Sequence, residues 1–143
     1  MEIERSNRQL AWHGTCLFLI GLLTGLAEQH FANLRMGLAA HLEGVMNGIF
    51  LIALAAIWNE VRLGRRSKAL VYWAVLGGTY GNWLVTTLAA VFGTGALSPV
   101  LAPGRHGQSW QEILVTVGFQ IVAVTIISSS AIILWGLRAK ATS

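Results

Sequence analysis

The sequence predicts an all-α integral membrane protein, a bundle of four helices, and three observations lead there. Of 143 residues, 55% are apolar and only 11% are charged, too little polar surface to cover a water-soluble core. The apolar residues gather into four long runs, Leu10–Ala27, Met36–Trp58, Ala69–Phe92 and Ile113–Leu137, each near the ~20 residues that cross ~30 Å of hydrocarbon. No proline interrupts a run, since Pro99 and Pro103 share one connection. Away from water the backbone must satisfy its own hydrogen bonds, so these runs read as helices.

Residues 1–143 are expected to form one transmembrane domain, with helices at about 10–30, 36–59, 69–92 and 111–137. The first run is too long for a signal-peptide core. It leads into Glu28-Gln29-His30 rather than a small-residue cleavage site, so it is expected to be retained. The second run is apolar except for His41, Glu43 and Asn47; the third carries Tyr80 and Asn82 among glycines. Between the third and fourth lies Gly93 to Gly107, rich in Gly and Pro and longer than most helix connections. It reads either as a lid over a pocket or as an irregular cap at the interface. The fourth helix opens on Glu112, which the helix dipole favours. Its Thr125 and Ser128-Ser129-Ser130 can return their hydroxyls to the preceding turn.

The net charge of +4 follows topology rather than a nucleic-acid surface. Arg5 and Arg8 precede the first helix, Arg62, Arg65, Arg66 and Lys68 fill the second connection, and Arg138 and Lys140 follow the last helix. Only Arg35 and Arg105 fall in the first and third connections, so the positive-inside rule puts both termini in the cytoplasm. Anionic lipid is a secondary partner for the basic cluster. The single cysteine, Cys16, reads as a small buried hydrophobe.

His41-Leu42-Glu43-Gly44-Val45-Met46-Asn47-Gly48 places an imidazole, a carboxylate and a carboxamide inside a membrane-length run. Such groups cost roughly 2.5–3.5 kcal/mol near mid-bilayer, which makes them candidate functional residues. On a helix, His41, Gly44 and Gly48 share one face, and Glu43 with Asn47 share a flank roughly 120–160° away. A histidine followed by glycines on its own face suits an axial ligand with a planar macrocycle against the backbone. It equally suits a histidine bonded to a neighbouring helix, with the glycines forming a crossing point. Gly21/Gly25 and Gly77/Gly81 repeat the small-residue spacing.

On the third helix Gly77, Tyr80, Leu84 and Thr87 form one stripe, with Trp73 and Trp83 at its margins and Asn82 opposite. Asn47 lies about 16 Å in from the non-cytoplasmic end of its helix and Tyr80 about 16 Å in from the cytoplasmic end of the next. The two could meet one buried ligand near mid-membrane, or each could serve helix packing alone. His13, near the cytoplasmic interface, reads as a snorkelling or helix-contact residue. No His-x3-His or Cys-x2-Cys spacing, no phosphate loop and no Asp occurs, which speaks against hydrolase triads and multi-carboxylate metal sites.

Arg35 to Gly48, with Tyr80-Gly81-Asn82-Trp83, Ala11-Trp12-His13-Gly14 and Leu19-Ile20-Gly21-Leu22-Leu23-Thr24-Gly25, resembles the hydroxylaminobenzene mutases and, more distantly, the styrene oxide isomerases. The resemblance covers the whole chain. It implies a multi-pass isomerase of the bacterial cytoplasmic membrane that converts aryl hydroxylamines to 2-aminophenols in nitroarene degradation. It also implies a homotrimer with ferric haem b between subunits. Carried onto this chain, His41 would ligate iron, with Gly44 and Gly48 toward the macrocycle, and Asn47 and Tyr80 would assist at an aromatic substrate. The isomerases employ an Asp that this chain lacks; Glu43 is the nearest departure. Rival readings are an epoxide isomerase, a small four-helix transporter, and a haem electron carrier on His13 and His41. The differing depths of those two histidines oppose the last.

Overall fold

A computed structural model describes residues 2–95 and 97–138, with side chains from Ser6 onward. Lys140 of the expected topology signal, and the side chain of Arg5, lie outside these described residues. The chain forms four α-helices: α1 (Glu2–Ala27), α2 (Leu34–Ile57), α3 (Arg65–Phe92) and α4 (Ser109–Arg138), with a short 3-10 turn at Glu28–His30. Helices α1 and α3 extend outward past the apolar runs because their polar first turns are helical too. Asn33 starts α2 as its N-cap, its side chain accepting from Met36 N at 3.2 Å. Gly93 ends α3 in the left-handed conformation at φ 69°, where its N–H reaches Ala89 O.

The bundle is built from neighbours in sequence. Helix α1 packs on α2, α2 on α3 and α3 on α4, while α1 and α4 do not touch among the described residues. The buried face of α1 reads Leu10, Gly14, Leu17, Gly21, Thr24, the alternating four- and three-residue steps of a seam against one partner. On α4 the buried stripe is narrower still, with Val115, Val122, Ser129 and Gly136 seven residues apart. Leu10 and Leu17 meet Leu51, Leu54 and Trp58 of α2 and its end, and Val71 and Val75 of α3, in the principal core cluster.

Glycine, rather than large side chains, brings α1 and α2 together. A Cβ at Gly21 would stand 2.5 Å from Val45 N, and one at Gly48 would stand 2.6 Å from Phe18 N. Such close approach maximises dispersion contact where lipid tails supply no hydrophobic drive between helices. Outside, the helices show Leu22, Leu23, Leu26, Leu42, Met46, Ile121, Val124 and Ile127, an apolar exterior suited to lipid.

Three helical segments are long and apolar enough to cross a membrane: Ser6–His30, Leu34–Ile57 and Ser109–Arg138. The expected fourth, α3, is not among them. Its apolar character is diluted by Thr79, Tyr80, Asn82, Thr86 and Thr87, whose polar groups are paired inside the bundle. Thr79, Thr86 and Thr87 bond back to carbonyls three or four residues earlier in their own helix.

Candidate functional site

The two faces of α2 meet different helices. His41 faces α1, where its Nδ1 lies 2.8 Å from the Gly21 carbonyl oxygen. A carbonyl only accepts, so Nδ1 carries a hydrogen, and Nε2 is the nitrogen left for a ligand. Gly25 makes room for the ring: a Cβ there would stand 2.6 Å from His41 Nδ1. The imidazole is half-buried. Its ring is thus oriented and its tautomer set by a backbone acceptor, the arrangement that metal-binding histidines use.

Among the described residues no group of three or more His, Cys, Asp or Glu gathers for a metal. An iron would therefore rely on His41 as a single side-chain ligand, as a haem does. His41 fits that role. Gly44 and Gly48 do not form the expected haem-facing surface: a Cβ at Gly44 would stand 2.5 Å from Gly21 Cα, and one at Gly48 would stand 2.7 Å from Gly14 O. Helix α1 fills the space beside them, so these glycines form a helix crossing.

The opposite flank of α2 faces α3. Asn47 Nδ2 donates to Glu43 Oε2 at 3.2 Å, one helical turn away, and Asn82 Nδ2 of α3 donates to the same oxygen. The pairing of Glu43 with Asn47 follows from their spacing. Asn82, expected opposite the functional stripe of α3, instead completes the cluster. On its other side α3 packs Gly78 and Gly81 against Ile126 and Val122 of α4. A half-buried carboxylate is favoured by hydrogen bonds, and two amide donors supply them.

Tyr80 is held by α1 instead. Its hydroxyl donates to the His13 carbonyl at 3.2 Å and lies 3.3 Å from His13 Nδ1, with the two rings edge to face. His13 is therefore a partner of Tyr80 in the bundle rather than a snorkelling residue. Tyr80 and Asn47 have separate partners, but Gly48, next to Asn47, packs on Gly14, next to Tyr80's partner His13, so the two stand at similar depth. Trp83 joins the same junction, its Nε1 donating to Thr24 Oγ1 at 3.0 Å.

A groove of about 460 Å³ lies along α4, walled by Phe119, Gln120, Val122 and Ile126, with Asn82 of α3 and Leu97 and Ser98 of the long connection also lining it. Its volume falls within the range of small-molecule sites. The connection is stapled down at several points. Glu112 accepts from Gly95 N at 3.1 Å and from Gly107 N at 2.7 Å, Asn33 Nδ2 donates to Leu101 O at 3.1 Å, and the Arg105 guanidinium donates to Ala32 O. Glu112 thus does more than complement the helix dipole: it ties both ends of the connection. Neither Asn82 nor the connecting role of Glu112 was visible in local spacing, because each depends on how distant segments meet.

Comparison with known proteins gives a consistent picture. Residues 6–138 match the model of the styrene oxide isomerase family. The chain is 41% identical over 132 residues to hydroxylaminobenzene mutase HabB of Ectopseudomonas oleovorans, covering 92% of this chain and 80% of that protein. It is 42% identical over 93 residues to hydroxylaminobenzene mutase HabA of the same organism, covering 65% of this chain and 69% of that one. No solved structure matches the chain significantly.

Proposed function

This chain belongs to the styrene oxide isomerase family and is an isomerase-type enzyme, and on that premise we propose that it converts aryl hydroxylamines such as hydroxylaminobenzene to 2-aminophenols. The observation that carries the substrate is the 41% identity across 92% of the chain with a hydroxylaminobenzene mutase. The step balances within the substrate. The N–O bond breaks, a C–O bond forms at the ortho carbon, that carbon gives up its proton, and nitrogen gains one. No oxidant or reductant is consumed.

His41 would hold a ferric haem b through Nε2 while Nδ1–H stays on the Gly21 carbonyl. When bound, the haem supplies an open coordination position that is a Lewis acid toward the substrate oxygen. Asn47 gives one N–H to Glu43 and keeps another, which serves as a donor for the oxygen leaving nitrogen. Tyr80 has a single O–H, engaged with the His13 carbonyl, so its donation to substrate requires that bond to exchange. Glu43 would orient the two amides, since Oε2 accepts from both. Holding the ring so that the hydroxyl returns at the ortho carbon is a matter of positioning.

In the membrane, α3 crosses with the other three helices, its polar groups turned to their partners in the bundle. The basic residues Arg62, Arg65, Arg66 and Lys68 at the α2–α3 turn support cytoplasmic termini in a bacterial inner membrane. A homotrimer with haem between subunits is the assembly that the resemblance implies. The half-exposed His41 and the largely uncovered α4 are in keeping with a partner copy.

Purified protein should be assayed with hydroxylaminobenzene and with styrene oxide in parallel. Formation of 2-aminophenol with little turnover of the epoxide is expected. The family match favours epoxide isomerisation as the second reading, and turnover of styrene oxide alone would establish it in place of the first.

A further inference from the structure

We infer that a second groove, between the start of α3 and the end of α4, is a binding site for an anionic phospholipid, with Arg66 as the residue that holds its phosphate. The groove encloses about 610 Å³, and Leu63, Arg66, Ser67, Leu70, Ile132 and Trp135 line it. Its chemistry changes with depth. Arg66 and Ser67 lie in the first turn of α3 and Trp135 in the last turn of α4, so a guanidinium, a hydroxyl and an indole stand at the helix ends. Leu70 and Ile132 each lie about one turn deeper, roughly 5 Å, where the lining is apolar. A soluble anion has no use for the apolar part, and a wholly apolar ligand has none for the arginine. A phospholipid, with its phosphate at the helix ends and an acyl chain below, matches both, and tryptophan is favoured at that boundary.

The surrounding charge selects a headgroup of net negative charge. From Trp58 to Lys68 the chain carries Arg62, Arg65, Arg66 and Lys68 against a single acid, Glu60, and Arg138 closes α4. Basic pockets between membrane helices attract such headgroups. These cations are not equivalent. Lys68 is committed to the bundle, since its Nζ donates to Val61 O at 2.8 Å and stands over the Trp58 ring. Arg66 is exposed and lines the groove, and a guanidinium can give a phosphate two parallel N–H···O bonds. The rim beside it is fixed by the fold. Arg62 N donates to Gly136 O at 3.1 Å, and a Cβ at Gly136 would stand 3.0 Å from Leu63 Cγ, so the α2–α3 turn is seated on the last turn of α4. The site stands apart from the reaction assigned above and requires only that the chain lies in a membrane.

Native mass spectrometry of the full-length protein in detergent counts bound lipid and subunits together. Dioleoyl phosphatidylglycerol and dioleoyl phosphatidylcholine, identical in their chains, are titrated separately, with glycerol 3-phosphate as a competitor. The choline cation offsets the phosphate charge, so the parent is expected to bind phosphatidylglycerol at least about fivefold more tightly, and excess glycerol 3-phosphate is expected to leave it bound. Arg66→Gln is expected to weaken phosphatidylglycerol about tenfold, the worth of a charge-assisted hydrogen bond, and Arg138→Gln, outside the lining, by less than about threefold. Ala131→Trp fills the groove wall while every cation stays in place, and is expected to weaken phosphatidylglycerol as strongly as Arg66→Gln. Should it fail to fold, Ala131→Leu replaces it with the same expectation. Equal affinity of the parent for the two lipids, or displacement of phosphatidylglycerol by glycerol 3-phosphate, overturns the lipid site. Equal losses in Arg66→Gln and Arg138→Gln would mean diffuse attraction to the basic end and overturn the assignment to Arg66. Unchanged binding in Ala131→Trp overturns the groove, as does a change of subunit number in that variant, which would mark the groove as a contact between copies of the chain.

Discussion

The His41 imidazole is locked to the Gly21 carbonyl by a 2.8 Å hydrogen bond from Nδ1, across the glycine-lined α1–α2 contact. This bond decides which nitrogen is available as a ligand. It would also tie ligation by His41 to helix packing, because the residue that accepts the hydrogen bond is one of the glycines that let α1 approach α2.

His41→Ala is therefore expected to abolish the Soret absorbance of purified protein. Gly25→Ala should reduce it without touching the ligand, because the added Cβ would fall 2.6 Å from Nδ1 and must displace the ring. Haem content per polypeptide, from the pyridine haemochrome spectrum, checks both; full haem content in His41→Ala would remove the residue from its assigned role.

Helix packing predicts unequal costs for the same change. Gly21→Ala drives a methyl into Val45 N and the Gly44 backbone and is expected to cost about 1–3 kcal/mol. Gly77 has nothing within 4 Å of an added Cβ, so Gly77→Ala should be neutral or stabilising by up to about 1 kcal/mol through helix propensity. Thermal unfolding in detergent reads the difference; equal midpoints for the two variants would count against the crossing.

Much of this architecture was legible in the residues. Four apolar runs without proline announced four helices, and the angular separation of His41 from Glu43 and Asn47 announced two faces of α2. What stayed hidden was the neighbour of each face. Gly44 and Gly48 permit a macrocycle or a helix equally well, and only the complementary Gly14 and Gly21 on α1 decide for the helix. Asn82 joins Glu43 through the packing of α3 between α2 and α4, a long-range effect with no local signature. Tyr80 meets His13 across a sequence separation of 67 residues, for the same reason.

Glu43 separates positioning from proton transfer. Both amides donate to one oxygen, Oε2, and a glutamine carbonyl can accept both. Glu43→Gln is expected to keep kcat within about threefold, whereas Glu43→Leu leaves two half-buried amides without their acceptor and loses at least about tenfold in kcat/KM. A pH-rate profile of Glu43→Gln should keep the parent's shape; loss of one limb of that profile would make the carboxyl a general base instead.

Glu112 governs the long connection. Removing its carboxylate in Glu112→Ala takes the acceptor from the Gly95 and Gly107 N–H groups, and faster tryptic cleavage after Arg105 is expected. Limited proteolysis in detergent, followed by mass spectrometry, measures the rate. Cleavage no faster than in the parent would mean that Asn33 and Arg105 suffice to hold the segment.

The most direct test of the assigned reaction follows oxygen. Purified protein supplied with hydroxylaminobenzene labelled with heavy oxygen should release 2-aminophenol that retains the label, in unlabelled water, at a rate that falls with His41→Ala. Product carrying solvent oxygen, or no 2-aminophenol at all from haem-loaded protein, would contradict intramolecular hydroxyl transfer by this chain.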